Sequence, residues 1–87
     1  MSNQTVAEVL ASADDSVTLI NDINTNGSDS VHALNMEQSE INACVQRNVD
    51  HLEIILAYTE PNVAGSSEDK SSYTSAITTG KAYIAAN

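Results

Sequence analysis

Tryptophan and phenylalanine are absent from this chain, and cysteine and proline occur once each. Each shortage excludes something. Without large hydrocarbon rings, a core has to be built from Val, Ile, Leu and Ala, and the three tyrosines each bring a hydroxyl that needs water or a partner. Burying one of the larger aliphatic side chains contributes roughly 1.5–3 kcal/mol. A single domain of 87 residues built this way has little margin over chain entropy, so association with itself or with a partner is expected. The lone Cys44 excludes an internal disulfide, and with it the stapled scaffolds of small secreted proteins.

Positive charge is also scarce: three Lys and Arg face twelve Asp and Glu, for a formal net charge of −9. Phosphate recognition rests on Lys and Arg, so nucleic acid is not an expected ligand, and an anionic membrane surface is not expected for the same reason. A basic protein surface or a divalent cation suits the charge, and so does the plainer role of keeping a small domain in solution. Long apolar runs are missing too. The longest, Ile54-Ile55-Leu56-Ala57-Tyr58, is far short of a bilayer span. The start, Met1-Ser2-Asn3-Gln4-Thr5, has neither the basic residues nor the apolar stretch of a signal peptide. The glycosylation triplets at Asn3 and Asn26 are read as chance matches.

What is present is helical periodicity. Val6, Val9, Leu10, Ala13, Val17, Ile20 and Ile23 recur at steps of three and four and predict a first helix over about 5–24. Ser2 or Asn3 is placed to cap it, and Asn24-Thr25-Asn26-Gly27 to stop it. Gly27 to Ser30 has loop composition, and Val31 and Leu34 are expected to fold back over the end of the bundle.

A second helix is predicted over about 36–60. Its inner face is Ile41, Cys44, Val45, Val49 (or Asn48), Leu52, Ile55, Leu56 and Thr59. Asn35 and Gln38 have capping-box spacing, Arg47 and Asp50 can pair, and Pro61 supplies the stop. The third helix is predicted over about 67–86, capped by Ser66 or Ser67 with Glu68 and Asp69 in its first turn. Gly80 falls on its apolar face with Tyr73, Ala76, Ile77, Tyr83 and Ile84. A glycine inside a helix costs about 1 kcal/mol against alanine, so a neighbouring backbone is expected to come close there. The reading is an all-α, antiparallel three-helix bundle in one domain, 1–87.

No pattern of residues carries chemistry. Cys44 and His51 lie about 10 Å apart along a helix, too far for a nucleophile–base pair. Zinc needs three or four protein ligands, and beyond Cys44 and His51 only His32 is available. Glu37 with Glu40, and Asp50 with Glu53, are one-turn acidic pairs without the Glu-x-x-His motif of carboxylate-bridged metal sites. The stretch Asn24 to Asp29 alternates oxygen ligands but lacks the later bidentate Glu of a calcium loop. No catalytic, cofactor-binding or metal-binding residue is therefore assigned, and no cofactor or small-molecule substrate is expected.

The second half carries a resemblance. Asn48-Val49-Asp50-His51-Leu52-Glu53-Ile54-Ile55-Leu56-Ala57, then 66–72, then Tyr73-Thr74-Ser75-Ala76-Ile77-Thr78-Thr79-Gly80-Lys81-Ala82-Tyr83-Ile84-Ala85-Ala86-Asn87, resemble small helical proteins encoded by tailed phages of marine bacteria, cyanophages especially. Those proteins have no assigned activity, so the resemblance transfers no functional residue. It implies a viral source, located in the virion or the host cytoplasm. Two jobs follow from it. One is a non-enzymatic virion accessory on head or tail, whose partner is a coat or other virion protein or a second copy. The other is an acidic host-directed inhibitor, of which a nucleic-acid mimic is one form.

Overall fold

Four α-helices and one tight turn make up the computed structural model, which describes residues 4–87. They are α1 (Val6–Ala11), α2 (Asp14–Asn26), α3 (Gln38–Leu56) and α4 (Ser71–Ala86), with a 3₁₀ turn at Gly27–Asp29. The architecture is the all-α three-helix bundle that the periodicity predicts: α2, α3 and α4 pack pairwise, and α1 prolongs the first arm. Among the described residues there is no β-strand beyond a single bridge between Thr59 and Asn62.

The first arm is not one helix. It breaks at Ser12–Ala13, where the Ser12 hydroxyl turns back onto the Val9 carbonyl and the Ala13 amide bonds the Leu10 carbonyl, three residues back. Serine back-bonding and tightened turns both bend helices. The break lets α1 keep Val9 and Leu10 in the core while Ala13 is fully buried at the corner. Ser2 and Asn3 lie outside the described residues, and the cap that is described is Thr5. Its hydroxyl accepts from the Glu8 amide, and the Glu8 carboxylate accepts in return from the Thr5 amide. The expected Asn-Gly stop holds: α2 ends at Asn26, and Gly27 takes a positive φ of 57°.

Helix α3 is shorter than the predicted 36–60 at both ends. Asn35 is not its cap; it occupies the left-handed region at φ 61°. The N-cap is Glu37, whose amide donates to Glu40 Oε1 at 2.8 Å. At the far end the last amides bond three residues back, and the chain leaves the helix after Leu56, well before Pro61. Beyond the helix the Glu60–Pro61 bond is cis, and Val63 is fully buried. Thr59, predicted on the inner face, is exposed. Arg47 and Asp50 do not pair; Asp50 accepts instead from Gln46 Nε2 at 2.8 Å. Likewise Ser66 and Ser67 do not cap α4. Residues 58–70 form a wound connection in which Ser66 bonds the Val63 carbonyl and Lys70 reaches the Ser66 carbonyl at 2.8 Å, and α4 starts only at Ser71.

The core is largely the predicted aliphatic set: Ile20, Ile23, Ile41, Val45, Val49 and Leu52 are essentially sealed from solvent, joined by Val63 from the connection after α3, which the periodicity did not mark. Gly80 lies at a close approach, as its position predicts, though valine and isoleucine side chains rather than a neighbouring backbone fill the space. A Cβ added there would come within 2.5 Å of Val49 Cγ2 and 3.3 Å of Val45 Cγ1. Side-chain hydrogen bonds tie α2, α3 and α4 pairwise. Ser16 donates to Asn48 between α2 and α3 at 2.8 Å, Tyr73 to Asp14 between α4 and α2 at 2.7 Å, and Gln38 to Tyr83 between α3 and α4 at 3.1 Å. These fix directions: the start of α4 lies beside the start of α2, and its end beside the start of α3. Burial, then the Asp14 carboxylate, pushes the Tyr73 phenol up to about 12.

Candidate interaction surface

The residues weighed for chemistry from the sequence stay apart. Cys44 is buried on the core face, and Asn48, which donates to the Cys44 carbonyl at 2.8 Å, has its oxygen taken up by Ser16. His51 is exposed on α3, and His32 is half-buried at the opposite end of that helix. Among the described residues no group of three or more His, Cys, Asp or Glu side chains is arranged to hold a metal ion. Glu53 of the second acidic pair is engaged with Lys81 at 3.0 Å, an exposed pair of small energetic weight. A shallow cleft of about 280 Å³ opens beside the 58–61 turn, lined by Gln4, Tyr58, Thr59, Glu60 and Pro61. It brings together no nucleophile and base.

The region that departs from ordinary folding chemistry is the loop from α2 to α3. Hydrophobic burial should turn Val31 and Leu34 inward and leave Ser30 in water. The reverse is found. Ser30 and Ala33 are each 1 % exposed, while Val31 is 72 % exposed and Leu34 64 %. This corrects the expectation that those two side chains close the end of the bundle.

The cause is local bonding. The buried Ser30 hydroxyl donates to Asp22 Oδ2 on α2 and accepts from the His32 amide at 3.0 Å. The other Asp22 oxygen accepts from Asn26 at 2.7 Å. Backbone bonds from Ala33 to Ser30 and from Met36 to Ala33 close two successive turns. Ser30, Ala33 and Met36 therefore follow a three-residue step inward, and Val31 and Leu34 follow the same step outward. The left-handed Asn35 redirects the chain into α3. Bonds from Ser30 and Asn26 hold the Asp22 carboxyl below the usual carboxylate range, so the staple is charged at neutral pH.

The electrostatic setting of this end is one-sided. No Lys or Arg precedes Arg47 in the chain, whereas Asp22, Asp29, Glu37 and Glu40 flank the loop in sequence. The other exposed apolar pair, Ile54 and Tyr58, is at the far end of α3. Among the described residues no helix is long and apolar enough to cross a membrane. The polarity inversion was not legible in the sequence, where Val31 and Leu34 look like core. The one available signal was Ser30, a short hydroxyl eight residues beyond Asp22 and able to bond back to it. No protein-family model, curated protein or solved structure matches this chain.

Proposed function

We propose that this chain is a non-enzymatic component of a phage particle, an accessory of head or tail that acts by protein–protein contact. The observation that supports contact is the loop in which Ser30 is buried and Val31 and Leu34 are held in water. Hydrophobic burial alone would favour the opposite arrangement, and the loop leaves the apolar pair open to a partner. The phage assignment comes from the resemblance of the second half to small helical phage proteins. In this reading the partner is a coat or other virion protein, and no cofactor, nucleic acid, membrane or small substrate takes part. Mass spectrometry of purified particles tests it: the chain is expected in fixed proportion to the coat protein, and particles free of it would rule the virion role out.

A second reading has its own support. All but one of the twelve carboxylates lack an ion-pair partner among the described residues, which suits an acidic module that binds a basic host protein in the cytoplasm. It predicts that tagged chain retains a basic, nucleic-acid-binding protein from host lysate and releases it at high salt. Retention of neutral or acidic proteins alone would count against it.

A further inference from the structure

The contact reading leaves the chemistry of the partner open, and the loop carries enough to name it. We propose that Val31 and Leu34 dock into an apolar cleft of a partner protein whose rim carries lysine and arginine. The assignment rests on the contact reading and would fall with it, but not with the phage origin.

Three observations lead to it. The side chains are presented in a fixed geometry, because Ser30, Ala33 and Met36 anchor the same turns inward. A pre-shaped loop loses little freedom on binding. The two aliphatics lie three residues apart and are both exposed, with the buried Ala33 between them, so they offer an apolar plug rather than a lined groove. The surroundings then select among occupants by charge. Asp22, Asp29, Glu37 and Glu40 flank the plug, and the nearest cation along the chain, Arg47, is about 14 Å up α3 from its start. Seating the plug in a neutral cleft would leave these carboxylates facing an indifferent rim. A cationic rim gains their attraction and speeds encounter. A second copy, itself at −9, would bring like charges together. An anionic lipid surface meets the same repulsion.

The test uses the whole chain, methyl-labelled, and three synthetic helical-hairpin peptides of equal length, each offering a cleft between its two helices. One has a leucine face with a lysine rim, one a leucine face with a glutamate rim, and one a lysine rim with alanine replacing leucine. The lysine-rimmed leucine peptide is expected to bind and to shift the Val31 and Leu34 methyl signals more than any others. The other two peptides are expected to bind at least about tenfold more weakly. The Val31→Ser/Leu34→Ser variant should lose about tenfold in affinity for the first peptide, while Ile54→Ser at the opposite end leaves affinity unchanged. Equal binding of the glutamate-rimmed peptide would overturn the cationic rim. Equal binding of the alanine peptide, or shifts spread over α3 and α4 and untouched by the double variant, would overturn the plug. A dimer in sedimentation that the double variant abolishes would make a second copy the occupant and overturn the assignment. Particle proteomics stays separate: absence from particles removes the phage role while leaving these binding results intact.

Discussion

The middle of the bundle and the 27–36 loop obey opposite rules. Around Gly80 the facing side chains are Val49, Val45 and Ile20, and they approach until no methyl group would fit. In the loop, a serine is sealed in and a valine and a leucine are left in water. The first region is what hydrophobic burial produces unaided. The second is held by the charge-assisted bond from Ser30 to Asp22, which keeps the serine inward while Val31 and Leu34 stay in water. The contrast separates the part of the chain that makes the fold from the part the fold presents. Substitutions should therefore fall into two classes, those that remove stability and those that leave it untouched.

The largest effect belongs to the bundle. Leu52 is completely buried at the centre of α3, so Leu52→Asp places an unpaired charge among aliphatics and should remove about 4 kcal/mol or more. That is enough to unfold a domain of this size, and loss of cooperative melting by circular dichroism is the readout. Gly80→Ala comes next. It gains about 1 kcal/mol of helix propensity but forces Val49 and Val45 aside, and overpacking of that kind costs typically 1–3 kcal/mol. The expected result is a lower melting midpoint. A raised midpoint would mean that the α3–α4 crossing is looser than described.

The loop responds more weakly and more locally. Ser30→Ala leaves Asp22 and the His32 amide without their shared partner. It should lower the midpoint by only a few degrees while hydrogen exchange at His32 and Ala33 speeds up markedly. The acid side of the stability profile should change with it. Asp22 has a depressed carboxyl pKa in the folded chain, so its contribution is complete above the unfolded value and is lost as pH falls through the folded one, below about pH 4. Removing Ser30, the largest cause of the depression, should flatten that limb. An unchanged acid limb would show that the staple contributes nothing in solution.

Much of the bundle was legible in the sequence, and the reasons it failed elsewhere are specific. The three-and-four spacing located the inner faces of all three arms, and Gly80 was recognisable as a close approach because nothing else offsets a glycine inside a helix. The need of buried tyrosines for partners was readable too, though not that Tyr73 would find Asp14 and Tyr83 would find Gln38. Helix ends were misplaced where tertiary demands override local signals. Val63 sits in a connection with no periodicity to betray it, yet its burial makes α3 stop at Leu56 rather than at Pro61. The break at Ser12 likewise serves a corner that forms only when α1 meets α3. For Val31 and Leu34 hydrophobicity pointed the wrong way, because a bond between residues eight apart decides the loop and no pattern of apolar spacing records it.

The smallest expected effect is the most direct test. If Val31 and Leu34 are displayed rather than packed, Val31→Ser/Leu34→Ser should leave the unfolding free energy in urea within about 0.5 kcal/mol of the parent chain. A loss of about 2 kcal/mol or more, the scale of truncating a packed aliphatic side chain, would show that they belong to the core and would contradict the account.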